Sequence, residues 1–275
     1  MSTPADRARQ APAGNAPVDS SLVGKVVTIT GASGGIGRVL ARRFAQCGAR
    51  VALVARRADE LAITAQAIID DGGAASVHAA DIRDETQCVQ VVTDIHRRWG
   101  ALDVLVNNAA VPGIDEQVSE ATSANWHNVV ATNLLAPMIL SREALTQAMI
   151  PARSGNIQFV SSAAARHIQP RKAHYAAAKL GLSALAQTLA TEVGEFGIRV
   201  NTLVLGSVAG ALFDSYVARR SAEDGVDAGA LRQHLTTMNG LRRLVEPEEV
   251  AEVSIWLASA AASAITGQDI AVTGG

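Results

Sequence analysis

The sequence is poor in cysteine and in aromatic side chains, and it has neither a long apolar run nor an excess of charge of one sign. Cys47 and Cys88 are the only two thiols in 275 residues. Their spacing fits neither a disulfide framework nor a metal site. Each falls on an apolar position of a predicted helix, so both read as core packing in a reducing compartment, and the cytoplasm is the expected location. No stretch approaches the ~20 consecutive apolar residues of a membrane span, and the first residues lack the apolar core of a secretory signal. The formal net charge of −2, from 24 basic and 26 acidic residues, gives no field to gather nucleic acid or an anionic membrane, and neither is expected as a partner. Only 3% of residues are aromatic although 48% are hydrophobic, with Ala and Val dominating. That balance suits strands buried on both faces and closely packed helices, not an aromatic binding surface.

What the sequence does have is alternation. Residues 1–21 are rich in Ala and Pro and show no periodicity that could form an apolar face, so they are expected to be a disordered tail. From Val26 onward strands and helices take turns. Strands are predicted at 26–30, 51–55, 76–80, 102–107, 156–161, 199–205 and 269–273. Between them lie a helix from near Arg38 to Cys47 stopped by Gly48, one ending at Gly72-Gly73, and one whose face is Cys88, Val92, Ile95 and Trp99. Later helices are expected around 124–149, from about His174 to Glu195, and at about 247–258. Such alternation implies parallel pairing with right-handed crossovers, hence an α/β fold: a single Rossmann-type domain over 22–275, with a doubly wound parallel sheet flanked by helices on both faces. Residues 207–246 break the rhythm after a strand's carboxyl end, where a substrate lid would sit.

Directly after the first strand comes Thr30-Gly31-Ala32-Ser33-Gly34-Gly35-Ile36-Gly37. Glycines at 31, 35 and 37 let the backbone turn sharply and approach a pyrophosphate, whose charge then meets the open amides and positive end of the following helix. The order strand, glycine turn, helix is the one a dinucleotide requires. At the end of the second strand, where a fold selecting NAD usually carries an acidic residue, Ala55 is followed by Arg56-Arg57. A guanidinium with no carboxylate beside it favours a ribose 2′-phosphate, so NADP(H) is expected in preference to NAD(H), with Arg56 as its contact. The competing reading is that the pair is a solvated opening to the next helix. Asp81 could accept a hydrogen bond from the adenine amino group, or cap the helix that starts near Glu85.

Tyr175 and Lys179 stand four residues apart, on one face of a predicted helix. A phenol of ordinary pKa ~10 needs electrostatic help to exchange a proton near neutrality, and the ammonium of Lys179 together with an oxidised nicotinamide would favour tyrosinate. Alone, such a pair is usually a surface pair. Taken with the glycine turn, Asn107-Asn108-Ala109, Asn133 and Ser162, however, the pattern resembles the short-chain dehydrogenase/reductase family over about Leu22 to Gly275. Within that family it looks most similar to bacterial ketoreductases of the 3-oxoacyl-carrier-protein reductase type.

The resemblance implies an NAD(P)-dependent oxidoreductase acting on a carbonyl or secondary alcohol of a small substrate. It implies Tyr175 as general acid/base, Lys179 as its partner, Ser162 on the substrate oxygen and Asn133 holding a water of a proton relay. Ser161 is the more structural hydroxyl of its pair. The implied cofactor set is Gly31, Ser33, Gly35, Ile36, Gly37, Arg56, Asp81, Ile82, Asn108, Ala109, Tyr175, Lys179, Gly206 and Val208. A homotetramer, or a homodimer, is implied through the helices carrying Asn133 and Tyr175 and the final helix and strand, with Ile255, Trp256 and Leu257 compatible with either assembly or core packing.

The sequence departs from the family pattern at Ala110, where a glycine is common, at Leu205-Gly206 in place of Pro-Gly, at Gly210 where a Thr is frequent, and at Thr273 in place of Asp. Losing a Pro and a side-chain donor should loosen the 205–210 segment. A catalytically silent dinucleotide sensor and an epimerase or dehydratase are the rival readings. Intact Ser162, Tyr175 and Lys179 oppose the first, and the length of the chain opposes the second. Arg166, Arg171, Lys172, Arg219 and Arg220 are candidates for docking an acidic carrier or are ordinary solvated charges. Leu212, Phe213, Tyr216 and Val217 suggest an apolar substrate body or a seal against water.

Overall fold

A computed structural model describes residues 20–275; of the expected tail, all but Ser20 and Ser21 lie outside the described residues. Ser20–Leu22 forms a 3-10 turn and Leu22 is buried. Seven strands follow: β1 (Val26–Thr30), β2 (Arg50–Ala55), β3 (Ala74–Ala79), β4 (Val104–Asn107), β5 (Gly155–Ser162), β6 (Ile198–Leu205) and β7 (Asp269–Val272). They make one sheet in the order β3-β2-β1-β4-β5-β6-β7, every pair parallel. The chain begins in the middle, winds outward to β3, then returns to β4 beside β1. At that reversal the loops after β1 and β4 leave in opposite directions and open a crevice at the strands' carboxyl ends.

The helices are α1 (Gly35–Gln46), α2 (Ala58–Asp70), α3 (Glu85–Trp99), α4 (Ser123–Val130), α5 (Ala136–Ala144), α6 (Ile150–Ala152), α7 (Ala173–Val193), α8 (Ala211–Asp224), α9 (Ala228–Thr237) and α10 (Pro247–Ala258). They cover both faces. One core gathers Cys88, Val92 and Ile95 of α3, Leu140 and Ala144 of α5, and Leu182 and Ala186 of α7. The other gathers Leu40 and Phe44 of α1, Leu61 and Ile68 of α2, and Val250, Ile255 and Leu257 of α10. Central strand residues such as Val27, Ile29, Leu105 and Val106 are fully enclosed, as a sheet covered on both sides demands. No helix among the described residues is long and apolar enough to cross a membrane.

Two helix details depart from the sequence reading. First, α1 starts at Gly35 and not near Arg38, so two glycines and Ile36 form the helix's first turn. Second, the expected continuous helix at 124–149 is interrupted by π-helical turns at Ala131–Leu135 and Leu145–Met149. Each is followed, after one intervening residue, by a proline, Pro137 or Pro151. A proline cannot donate to the carbonyl four residues earlier and its ring collides with it; those carbonyls belong to Asn133 and Gln147, and widening the preceding turn relieves both collisions. Of the trio left open between core packing and assembly, Ile255 and Leu257 are core residues and only Trp256 is exposed.

Candidate functional site: a dinucleotide crevice beside a Ser-Tyr-Lys cluster

The glycine turn is built against Asn108. The Asn108 side-chain nitrogen donates to the Thr30 carbonyl (2.8 Å), and the Thr30 hydroxyl accepts from the amides of both Asn108 and Ala109 (3.0 Å each). A Cβ on Gly31 would lie 2.9 Å from the Asn108 side-chain nitrogen, and one on Gly37 would lie 2.2 Å from the Gly31 carbonyl oxygen. These two glycines therefore serve close packing between β1, α1 and the loop after β4. Gly35 differs: its φ of +51° is a left-handed conformation, and nothing lies within 4 Å of where its Cβ would be. The open face is the one that the first-turn amides of α1 present to a ligand, and it fits a pyrophosphate.

Side chains from β2–α2 complete this wall. The Arg38 guanidinium holds the Ser33 carbonyl (2.7 Å) and is itself braced by Glu60 and Thr64, while the Thr64 hydroxyl donates to the Ala32 carbonyl. Arg56 and Arg57 are both exposed; Arg57 turns back over the turn, its Nη2 3.4 Å from the Ser33 hydroxyl, whereas Arg56 contributes its charge to the field at Asp81. The sequence reading placed Arg56 in the site; the geometry adds Arg57, whose position just before α2 brings its side chain toward the turn.

Asp81 follows β3, where its carboxylate is gripped by Arg83, which holds it down at about 2. The cap of α3 is Asp84, which accepts from the Gln87 amide, so capping is not the task of Asp81. A cavity of about 430 Å³ opens here, lined by Asp81, Arg83, Asp84, Gln87, His127, Asn128 and Ala131. Ile82 is buried in the core below it, its carbonyl accepting from the Cys88 thiol at 3.1 Å.

On the other side of the crevice, the end of β5 and the start of α7 bring Ser162, Tyr175 and Lys179 together. The Ser162 hydroxyl lies near enough to the Tyr175 phenol to act on its ionisation, and it accepts from the Ala164 amide at 3.2 Å. Lys179 is fully enclosed, donates to the Val160 carbonyl at 2.7 Å, and lies 5.8 Å from the Tyr175 ring centroid. Burial draws its ammonium down to about 8. Burial likewise pushes the Tyr175 phenol up, with the neighbouring Ser162 hydroxyl acting in the opposite direction, so in the protein alone the phenol is the protonated species. The expected lowering of Tyr175 would need the additional positive charge of a bound oxidised nicotinamide. Ser161 is structural, as read from the sequence: it is buried and donates to the Lys179 carbonyl at 2.9 Å.

Asn133 lies in the first π turn, completely buried. Its amide group is engaged at both ends with Val111, accepting from the Val111 N–H and donating to the Val111 carbonyl, both at 2.9 Å. The loop after β4 is pinned in this way residue by residue: Asn125 holds both polar groups of Ile114, and Arg171 and Arg219 hold the Asp115 carbonyl and carboxylate. Neither Thr30 nor Asn125 carries a sequence signal for this bracing, which joins residues 78 positions apart at Thr30 and 11 apart at Asn125.

The departures from the family pattern have local causes. Ala110 is exposed, so its methyl displaces nothing. Gly206 is required because a Cβ there would lie 2.8 Å from the Thr273 Cα. Gly210 opens α8 with φ +130°, a conformation closed to threonine, which exchanges a side-chain donor for a sharp turn. Val208 bridges to Val245 and packs on the second core.

Comparison with known proteins agrees with this geometry. Residues 31–275 match the family described as enoyl-(acyl carrier protein) reductase. A short-chain dehydrogenase/reductase of Armillaria gallica is 34% identical over 92% of this chain and 95% of its own length. A variant of actinorhodin polyketide ketoreductase solved with NADPH superposes with a TM-score of 0.88 at 30% identity, covering 92% of this chain and 97% of that one. An NAD+-bound xylitol dehydrogenase also gives 0.88, at 26% identity over 92% and 99%. The chain belongs to the short-chain dehydrogenase/reductase family and is an NAD(P)-dependent oxidoreductase acting on small molecules.

Proposed function

We propose that the protein reduces a ketone to a secondary alcohol, or runs the reverse oxidation, with NADP(H) favoured over NAD(H) and Tyr175 as the general acid/base. The observation that carries the reading is the convergence of Ser162 and Tyr175, at the end of β5 and the start of α7, in front of the enclosed Lys179, whose ammonium is 5.8 Å from the Tyr175 ring centroid. Bound cofactor supplies or accepts the hydride. Ser162 holds the carbonyl oxygen and Tyr175 gives it a proton as it gains negative charge. The ammonium of Lys179 stabilises the tyrosinate left behind and binds the nicotinamide ribose hydroxyls. The Asn133 side chain is already engaged, but Pro137 cannot donate to its backbone carbonyl. That carbonyl is the group we assign to the relay water.

The 2′-phosphate reading rests on Arg57 reaching Ser33 and on Ala55, in place of a carboxylate, at the end of β2. The remaining assigned contacts are the amides at Gly35, Ile36 and Gly37 with Gly31 and Ser33 for the pyrophosphate, Arg56 and Arg57 for the 2′-phosphate, Asp81 and Ile82 for adenine, Asn108 and Ala109 for the ribose, and Gly206 and Val208 beside the nicotinamide. Residues 207–246 serve as the lid. A free carbonyl compound suits this site better than a carrier-bound one: Arg166, Arg171, Arg219 and Arg220 each pair with an internal acid, and Lys172 lies over the Tyr216 ring. The reading also includes a cytoplasmic location and a homotetramer using exposed Leu135, Leu180 and Trp256. The test is oxidation of NADPH and of NADH across a panel of free ketones and acetoacetyl thioesters. Turnover of one ketone class, faster with NADPH, is expected; tight cofactor binding without oxidation of either would favour a silent sensor.

A further inference from the structure

Tyr175 sits in the first turn of α7, and that turn lacks its usual fastening. The N-cap residue, Lys172, makes no side-chain hydrogen bond to the turn's amides. Uncapped first turns leave N–H groups without partners and tend to fray, which would blur the position of any side chain they carry.

The residue next to Tyr175 compensates. His174 is 1% exposed, and its Nε2 lies 3.2 Å from the Pro112 carbonyl oxygen. A carbonyl only accepts, so Nε2 is the donor. The ring meets Trp126 of α4 edge to face, with centroids 6.2 Å apart and planes at 68°. Gly113 leaves it no slack: its φ is +70°, and a Cβ there would lie 2.6 Å from both His174 Nε2 and Val129 Cγ2. Pro112 in turn follows Val111, the residue that Asn133 clamps at both ends. His174 therefore ties the start of α7 to the braced loop after β4.

We propose that His174 is a positioning residue: by bonding the Pro112 carbonyl and packing on Trp126 it fixes the first turn of α7, and so the placement of the Tyr175 hydroxyl against Ser162 and the substrate carbonyl. The proposal rests on Tyr175 being the general acid/base. His174 is assigned no contact with cofactor or substrate, and its removal acts mainly on kcat, because Lys179 and the glycine turn, to which cofactor contacts are assigned, are held separately by the Val160 carbonyl and by Asn108.

The experiment compares His174→Leu, His174→Gln and His174→Asn in the full-length protein, with kcat, KM and the NADPH dissociation constant measured separately. The Leu variant keeps the bulk and loses the donor; its kcat should fall by about 10²-fold, the effect of a misplaced reacting group, with NADPH affinity unchanged. Glutamine places an N–H at similar reach and should restore kcat to within a few fold, whereas the shorter asparagine should not. Unchanged kcat in the Leu variant, or equal losses in the Gln and Leu variants with NADPH binding intact, overturns the proposal. Should the Leu protein fail to bind NADPH, the Gln and Asn pair decides: a more active Gln variant supports the proposal and equal activity overturns it. Tyr175→Phe, measured alongside, separates the two claims. If it is active, the underlying reading fails; if it is inactive while His174→Leu is unaffected, only the positioning role fails.

Discussion

The side-chain nitrogen of Asn108 and Cα of Gly37 are packed so closely that a methyl group on Gly37 would come within 2.7 Å of that nitrogen. The dinucleotide wall thus depends on a glycine for interior packing and not only for access by a phosphate. Gly37→Ala should lower stability by about 1–3 kcal/mol through overpacking and should weaken NADPH and NADH binding alike. Thermal melting and cofactor titration check this; an Ala variant with unchanged melting temperature would show that the turn has slack.

Lys179 sets function against stability. Its ammonium is drawn from 10.5 to about 8 by burial. A displacement of that size corresponds to about 3 kcal/mol against the charged form, from which the loss of the bond to Val160 subtracts about 1 kcal/mol. At pH 7, Lys179→Met should therefore be more stable by about 2 kcal/mol while losing nearly all activity. The sign with pH follows from the folded chain holding fewer protons than the unfolded chain between about 8 and 10.5, so the wild type gains stability as pH rises through that window and the Met variant does not. Denaturant melts at pH 7 and pH 10 measure it.

The same group shapes the pH profile of catalysis. Above about 8 Lys179 loses its charge and no longer stabilises the tyrosinate left by proton donation, while the phenol itself stays protonated because burial holds it up. Ketone reduction should decline from about pH 8 upward, well below the phenol's ordinary range. A kcat/KM profile flat to pH 10 would contradict the assigned partnership.

Cofactor choice should follow the two guanidinium groups after β2. Arg57→Ala, and to a smaller degree Arg56→Ala, should weaken NADPH binding by about 10–100-fold, the worth of a charge-assisted hydrogen bond, with little change for NADH. Fluorescence titration with both nucleotides reads it. Equal losses would place the 2′-phosphate elsewhere.

Much of this architecture is legible in the sequence because its signals are local. Runs such as Val26–Thr30 and Ile198–Leu205 are mostly apolar and buried almost throughout since the sheet is covered on both faces, and the glycine turn, Ser162, Tyr175 and Lys179 lie at short spacings around recognisable strand ends. What escapes is long-range or stereochemical. The start of α1 is hidden by glycines with low helix propensity, yet they are needed where α1 meets Asn108. The π turns arise from a collision between Pro137 and the Asn133 carbonyl, which periodicity does not register. His174 and Asn125 look like ordinary polar residues until the fold brings Pro112 and Ile114 to them.

The central claim is that Tyr175 transfers the proton. The most direct measurement is the turnover of Tyr175→Phe beside the wild type, on the ketone class that the panel identifies, with the NADPH dissociation constant determined for both. The phenylalanine loses the hydroxyl and little else, so turnover should disappear while NADPH binds with nearly unchanged affinity. Turnover comparable to the wild type would contradict the account and require another proton donor in the crevice.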